Sequence, residues 1–138
     1  MVLPKALYAV AATPPSKKDR RRLRAAVAKA IWGQSNKWRA NEALFTLIVA
    51  GHRHDPVQAS HYLTITTIRR VIHRHPEAWD CFNDVFAARR AAMDEGGTFG
   101  GPCKALLQAL RAASAELLPC GTFRYRAPNN EMKEVKYM

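Results

Sequence analysis

The sequence is short of cysteine, of acid and of long apolar runs, and each shortage excludes something. Cysteine occurs 3 times, at Cys81, Cys103 and Cys120. An odd, widely spaced set without a CxxC step supports neither a disulfide framework nor a zinc ribbon, so a reducing compartment is expected. No apolar run approaches the roughly 20 residues of a membrane span, and no apolar stretch preceded by positive charge reads as a signal peptide. GxSxG, P-loop, HExxH and other nucleophile signatures are missing, as is any internal repeat. Catalysis and a cofactor are therefore not expected.

What is present is one globular domain. The chain has 138 residues, 48% hydrophobic and 24% charged, enough for a modest core and too few for two. Its 22 Lys and Arg stand against 11 Asp and Glu, a formal charge of +11. Residues 1–75 hold fourteen bases and three acids (Asp19, Glu42, Asp55), whereas residues 76–138 hold eight of each. The whole excess thus lies in the first half. Such self-repulsion is offset by a polyanion, which points to a nucleic acid or an anionic membrane surface; DNA or RNA is the partner expected here. A nuclear or cytoplasmic location is expected, although the Ala- and Arg-rich, acid-poor start also overlaps the composition of a mitochondrial transit peptide.

Periodicity and punctuation predict four to five amphipathic helices, an all-α domain. Residues 1–15 form a short apolar segment closed by Pro14-Pro15. Ser16 and Asp19 predict a helix over 17–32 ended by Gly33, with Leu23, Ala26, Val27, Ala30 and Ile31 on one face. Asn41 and Gly51 bracket a short helix. Asp55-Pro56 starts the next, with Val57, His61, Ile65, Ile68 and Ile72 as its stripe. Pro76 ends that helix and opens another carrying Trp79, Phe82, Phe86 and Met93. Four glycines in 96–101 read as a flexible break. Pro102 then opens a last helix whose face runs through Leu106, Leu107, Leu110, Ala113, Leu117 and Leu118 to Pro119. The helical domain spans 16–119, and 120–138 is a loosely ordered polar tail with one candidate strand at 122–126.

The densest chemistry lies in the first helix. Residues 17–24 contribute Lys17, Lys18, Arg20, Arg21, Arg22 and Arg24, and phosphates reward such a row through counterion release. Lys29, Lys37, Arg39 and Arg53 extend it. Trp32 falls on the basic side of its helix and Trp38 lies between two cations, where aromatics stack on unpaired bases. The same row also suits a solvated face or a localisation signal, and Trp32 suits ordinary core. Five histidines fall between 52 and 75, but the pairs His52/His54 and His73/His75 diverge by about 200° on a helix, so no metal site is expected. Asp80 and Asp84 read as a solvated helix face beside Arg89 and Arg90. A second function class, a protein-interaction module using the Leu106/Leu107/Leu110 and Trp79/Phe82/Phe86 stripes, needs those stripes exposed.

Leu7-Tyr8-Ala9, then Leu23-Arg24 with Ala30-Ile31-Trp32-Gly33, then Gly51 with Asp55-Pro56, then Arg69-Arg70 ahead of Trp79 follow one another over roughly residues 5–110. This order resembles the region downstream of the palm in non-LTR (LINE-type) retrotransposon reverse transcriptases of dinoflagellate-like elements. The resemblance implies a thumb or connector that grips a template–primer duplex by its backbone. The YxDD aspartates of the palm, endonuclease residues and a Cys/His knuckle are absent. What the resemblance implies here is a non-catalytic, thumb-like fragment.

Overall fold

The structure is a computed structural model and describes residues 10–33, 45, 55–97 and 100–137, with only the main chain of Trp32. The helix expected between Asn41 and Gly51 lies outside the described residues. Helix α1 (Lys17–Trp32) begins where Ser16, in extended conformation, accepts at Oγ from the Asp19 N–H at 3.1 Å. It ends at Gly33, whose φ of 81° lets its N–H return to the Lys29 carbonyl at 3.0 Å. Helix α2 (Pro56–Arg74) has Asp55 as its cap: the carboxylate accepts from the Val57 N–H at 2.9 Å, and Pro56 fills the first helical position without wasting a donor.

After a 3₁₀ turn at Pro76–Ala78, helix α3 runs Trp79–Asp94. The expected flexible glycine break begins instead as an ordered cap. Gly96, at φ 86°, donates to the Met93 carbonyl, and Gly97 donates to that of Ala92 at 2.9 Å. A Cβ on Gly97 would meet the Ala92 carbonyl oxygen at 2.7 Å, so glycine is required there.

Helix α4 (Gly101–Ala112) is shorter than its apolar pattern predicts. Ser114 turns into the left-handed region at φ 48°, and the chain continues as strand β1 (Ala115–Leu117). Strands β2 (Thr122–Arg126) and β3 (Met132–Lys136) follow as an antiparallel meander in the order β1-β2-β3. Leu117 pairs with Phe123, and Phe123 with Val135. The all-α expectation is thereby corrected: among the described residues four α-helices and a three-stranded antiparallel sheet make a mixed α/β fold. The candidate strand at Thr122–Arg126 is present, but as the middle of a sheet that crosses the expected boundary between domain and tail. Cross-strand pairing supplies the stabilisation that the local sequence lacks.

The main core joins α2, α3, α4 and the sheet. Ile68, Ile72, Phe86, Leu106, Leu107, Leu110, Leu117 and Tyr137 are buried together, with Trp79, Phe82 and Phe123 packed around them. Trp79, Phe82 and Phe86 form a stacked ladder, with ring centroids 6.0 and 5.8 Å apart. The stripe of α2 is turned from the one expected. Ala59, Ser60 and Thr64 are buried, whereas Val57 and His61 are only partly covered. Ser60 and Thr64 can face inward because each hydroxyl donates to a carbonyl of its own helix, at 2.8 and 2.9 Å. A smaller cluster sets Val10 and Ala59 against Leu23 and Leu63, which docks α1 on α2.

Candidate nucleic-acid interface

The docking of α1 decides which of its cations are available. Its packed side is Arg20, Leu23, Arg24, Val27 and Ala28, the last only 1% exposed, while Ala26 and Ala30 face outward. Relative to the apolar face read from the sequence, the helix is rotated by roughly 60° at 100° per residue. Arg24 accounts for the rotation. Its Nε donates to Asp55 Oδ1 at 2.9 Å and its Nη2 to Oδ2, a bidentate pair on a carboxylate that is only 3% exposed. The same guanidinium lies 5.7 Å from the centre of the Phe45 ring, and Phe45 is buried with Ala28. Arg24 is thus a bolt between α1 and the cap of α2, and its place in the expected phosphate row is corrected accordingly.

Arg20 is partly buried and near His61. Burial above all, and then the Arg20 charge, hold the His61 imidazole below its usual 6.5, with Asp55 opposing. A depressed histidine favours folding above pH 6.5, and that contribution is lost as pH falls. His61→Gln is expected to flatten the decline of the urea midpoint between pH 6.5 and 5. An identical decline in both proteins would contradict this assignment.

Lys17, Lys18, Arg21, Arg22 and Lys29 are exposed. Lys18, Arg22 and Lys29 follow one line along the helix opposite its packed side, with only Ala25 and Ala26 between, over about 16 Å. None of the five is ion-paired with a carboxylate among the described residues. Asp19 is the one acid among them; the Ser16 hydroxyl chiefly, and then Arg22 and Lys18, hold its carboxyl below the usual range. The second half contrasts with this. There Arg90 pairs with Glu116 at 2.7 Å, and Arg111 with Asp94 and Arg124 with Glu134 at 2.8 Å.

Lys37, Trp38, Arg39, Arg53 and the side chain of Trp32 lie outside the described residues. The end of α2 supplies candidates not singled out for the row: Arg69, Arg70 and Arg74 are exposed, along with His73 and Tyr62. Their signal was the Arg69-Arg70 doublet with Arg74 one turn beyond. Among the described residues no three His, Cys, Asp or Glu side chains gather as a metal-binding group, and no helix is long and apolar enough to cross a membrane. No protein family, no curated protein and no solved structure matches the chain.

Proposed function

We propose that the chain is a helical nucleic-acid-binding module that grips backbone phosphates through the outer face of α1, without catalysis, in the manner of the thumb-like retroelement fragment that its sequence resembles. The observation that carries this reading is the row Lys18, Arg22 and Lys29, flanked by Lys17 and Arg21: exposed, in no salt bridge among the described residues, and opposite the packed side of its helix. Its 16 Å matches roughly five phosphates of one strand. Phosphate contact of this kind positions a duplex or a single strand and carries little sequence preference.

The two stripes named for a protein-interaction module are covered, which favours the phosphate reading over it. Leu106, Leu107, Leu110 and Phe86 are buried in the core, and Trp79 and Phe82 pack against it.

Five phosphate contacts give an expected slope of about −4.5 for log affinity against log salt on duplex DNA, and about −3.5 on a single strand. Filter binding between low and physiological salt measures it. The double substitution Lys18→Gln with Arg22→Gln is expected to flatten the duplex slope by about 1.8. Affinity indifferent to salt, or unmoved by the double substitution, would overturn the assignment.

A further inference from the structure

The second half, neutral in sum, gathers its arginines at one place. A groove of about 390 Å³ is lined by Arg90 from α3, Arg111 from the last turn of α4, and Arg124 and Arg126 from alternate positions of β2, with Glu116 as the one carboxylate in its wall among the described residues. Alternate residues of a strand share a face, so Arg124 and Arg126 project together. Arg90, Asp94, Arg111 and Glu116 rim an adjoining pocket of about 120 Å³ whose inner walls include Phe86, Leu107, Leu110 and Leu117. That volume is close to the roughly 150 Å³ that holds a benzene ring.

The neighbouring acids position these guanidiniums without exhausting them. A guanidinium has five N–H donors. Arg90 and Arg111 each use Nη2, on Glu116 and Asp94, while Arg124 places Nε and Nη2 on the same oxygen of Glu134. Arg126 has no carboxylate partner among the described residues. Ser114 lines the same groove in the left-handed conformation, with its carbonyl accepting from the Arg126 N–H at 3.4 Å. A non-glycine residue there is uncommon, and here it makes the turn from α4 into β1, both of which line the groove.

We infer that this groove binds a small phosphomonoester, with the phosphoryl dianion among the four arginines and a compact apolar body in the adjoining pocket. Arginine is the side chain best matched to phosphate, through parallel N–H donors and a charge that never titrates. The ligand meets four arginines with Glu116 in the wall and Asp94 and Glu134 paired to Arg111 and Arg124, a small net positive charge carried by many N–H donors, and a ring-sized space lies beside it. The inference stands apart from the α1 row, which is on another element and uses none of these residues.

Inorganic phosphate and phenyl phosphate are the probes, titrated into the full chain at constant ionic strength while the arginine Nε–H resonances are followed by NMR. Saturable shifts confined to Arg90, Arg111, Arg124 and Arg126 are expected, with phenyl phosphate binding about tenfold more tightly than phosphate. Arg126→Gln removes an exposed, unpaired side chain and is expected to weaken both probes about tenfold with an unchanged urea midpoint. Lys18→Gln with Arg22→Gln is expected to leave both affinities as they were. Shifts that fail to saturate, shifts at the α1 cations instead, or full affinity in Arg126→Gln would overturn the inference. Equal affinity for the two probes would overturn the place given to the apolar body.

Discussion

Arg24→Met is expected to lower the stability of the fold by about 3 kcal/mol and to leave the salt dependence of nucleic-acid binding unchanged. Methionine keeps most of the aliphatic stem while removing the guanidinium that lies over Phe45. It leaves the Asp55 carboxylate, 3% exposed, with the Val57 N–H as its remaining hydrogen-bond donor among the described residues. An uncompensated buried charge is among the costliest single defects in a protein. The value sits at the low end of that class because the Arg24 side chain is 31% exposed and water screens part of the pair. Urea unfolding measures it as a shifted midpoint with an unchanged slope. If Arg24 instead served phosphate, the midpoint would stay in place and the salt slope would lose about 0.9. Arg24 and the pair Lys18 and Arg22 are therefore expected to behave oppositely, one governing stability and the others binding.

Tyr137→Ala is expected to cost about 3 to 5 kcal/mol. Tyr137 is 4% exposed in the main core, its ring stacks near Phe123 with centroids 6.1 Å apart, and its hydroxyl donates to the Ile65 carbonyl of α2 at 2.8 Å. Tyr137→Phe keeps the ring and loses only that hydrogen bond, about 1 kcal/mol. The two substitutions are separated further by alkali. Burial pushes the phenol well above its usual 10, so the folded state holds it neutral. A group raised in this way contributes fully below pH 10, and its contribution is lost as the unfolded chain ionises above that pH. The urea midpoint of the native protein should fall between pH 9.5 and 11 more steeply than that of Tyr137→Phe. Parallel curves would show that the phenol is not held neutral by the fold.

The helix ends that carry local chemistry were legible in the sequence. Ser16, Gly33, Asp55-Pro56 and Pro76 act within one turn of themselves, and each bounds an element where expected. The end of α4 was not legible, because Ala113, Leu117 and Leu118 continue a helical spacing and no glycine or proline interrupts it. Pairing of Ala115–Leu117 with Phe123–Tyr125 outweighs that periodicity, a case of tertiary context overriding pattern. Strand β3, Met-Lys-Glu-Val-Lys, is exposed along its whole length. It has no buried face to imprint an alternation, and its ladder, the Arg124–Glu134 pair and the Tyr137 that follows it hold it in place.

The candidate interface was legible as composition and misread as geometry. Ala26, Ala28 and Ala30 are identical to any hydropathy scale, yet Ala28 is buried and the other two are not. The choice among them is made by distant contacts, Arg24 with Asp55 across 31 residues and Ala28 itself with Phe45. Nor does a count of charges reveal that Arg90, Arg111, Arg124 and Arg126 share a groove, since they come from three elements and their sum with nearby acids is small.

The clasp between Tyr137 and Ile65 also sets a clock. It joins positions 72 residues apart, so it cannot close until almost all of the sheet has been synthesised. Between the emergence of Leu110 and that of Tyr137 a ribosome spends a few seconds, at about 5 to 20 residues per second. Through that interval the apolar side of α4 has α2 and α3 to lean on but no sheet to seal it. A chain that lacks the sheet therefore leaves apolar surface of α4 uncovered until Tyr137 reaches Ile65.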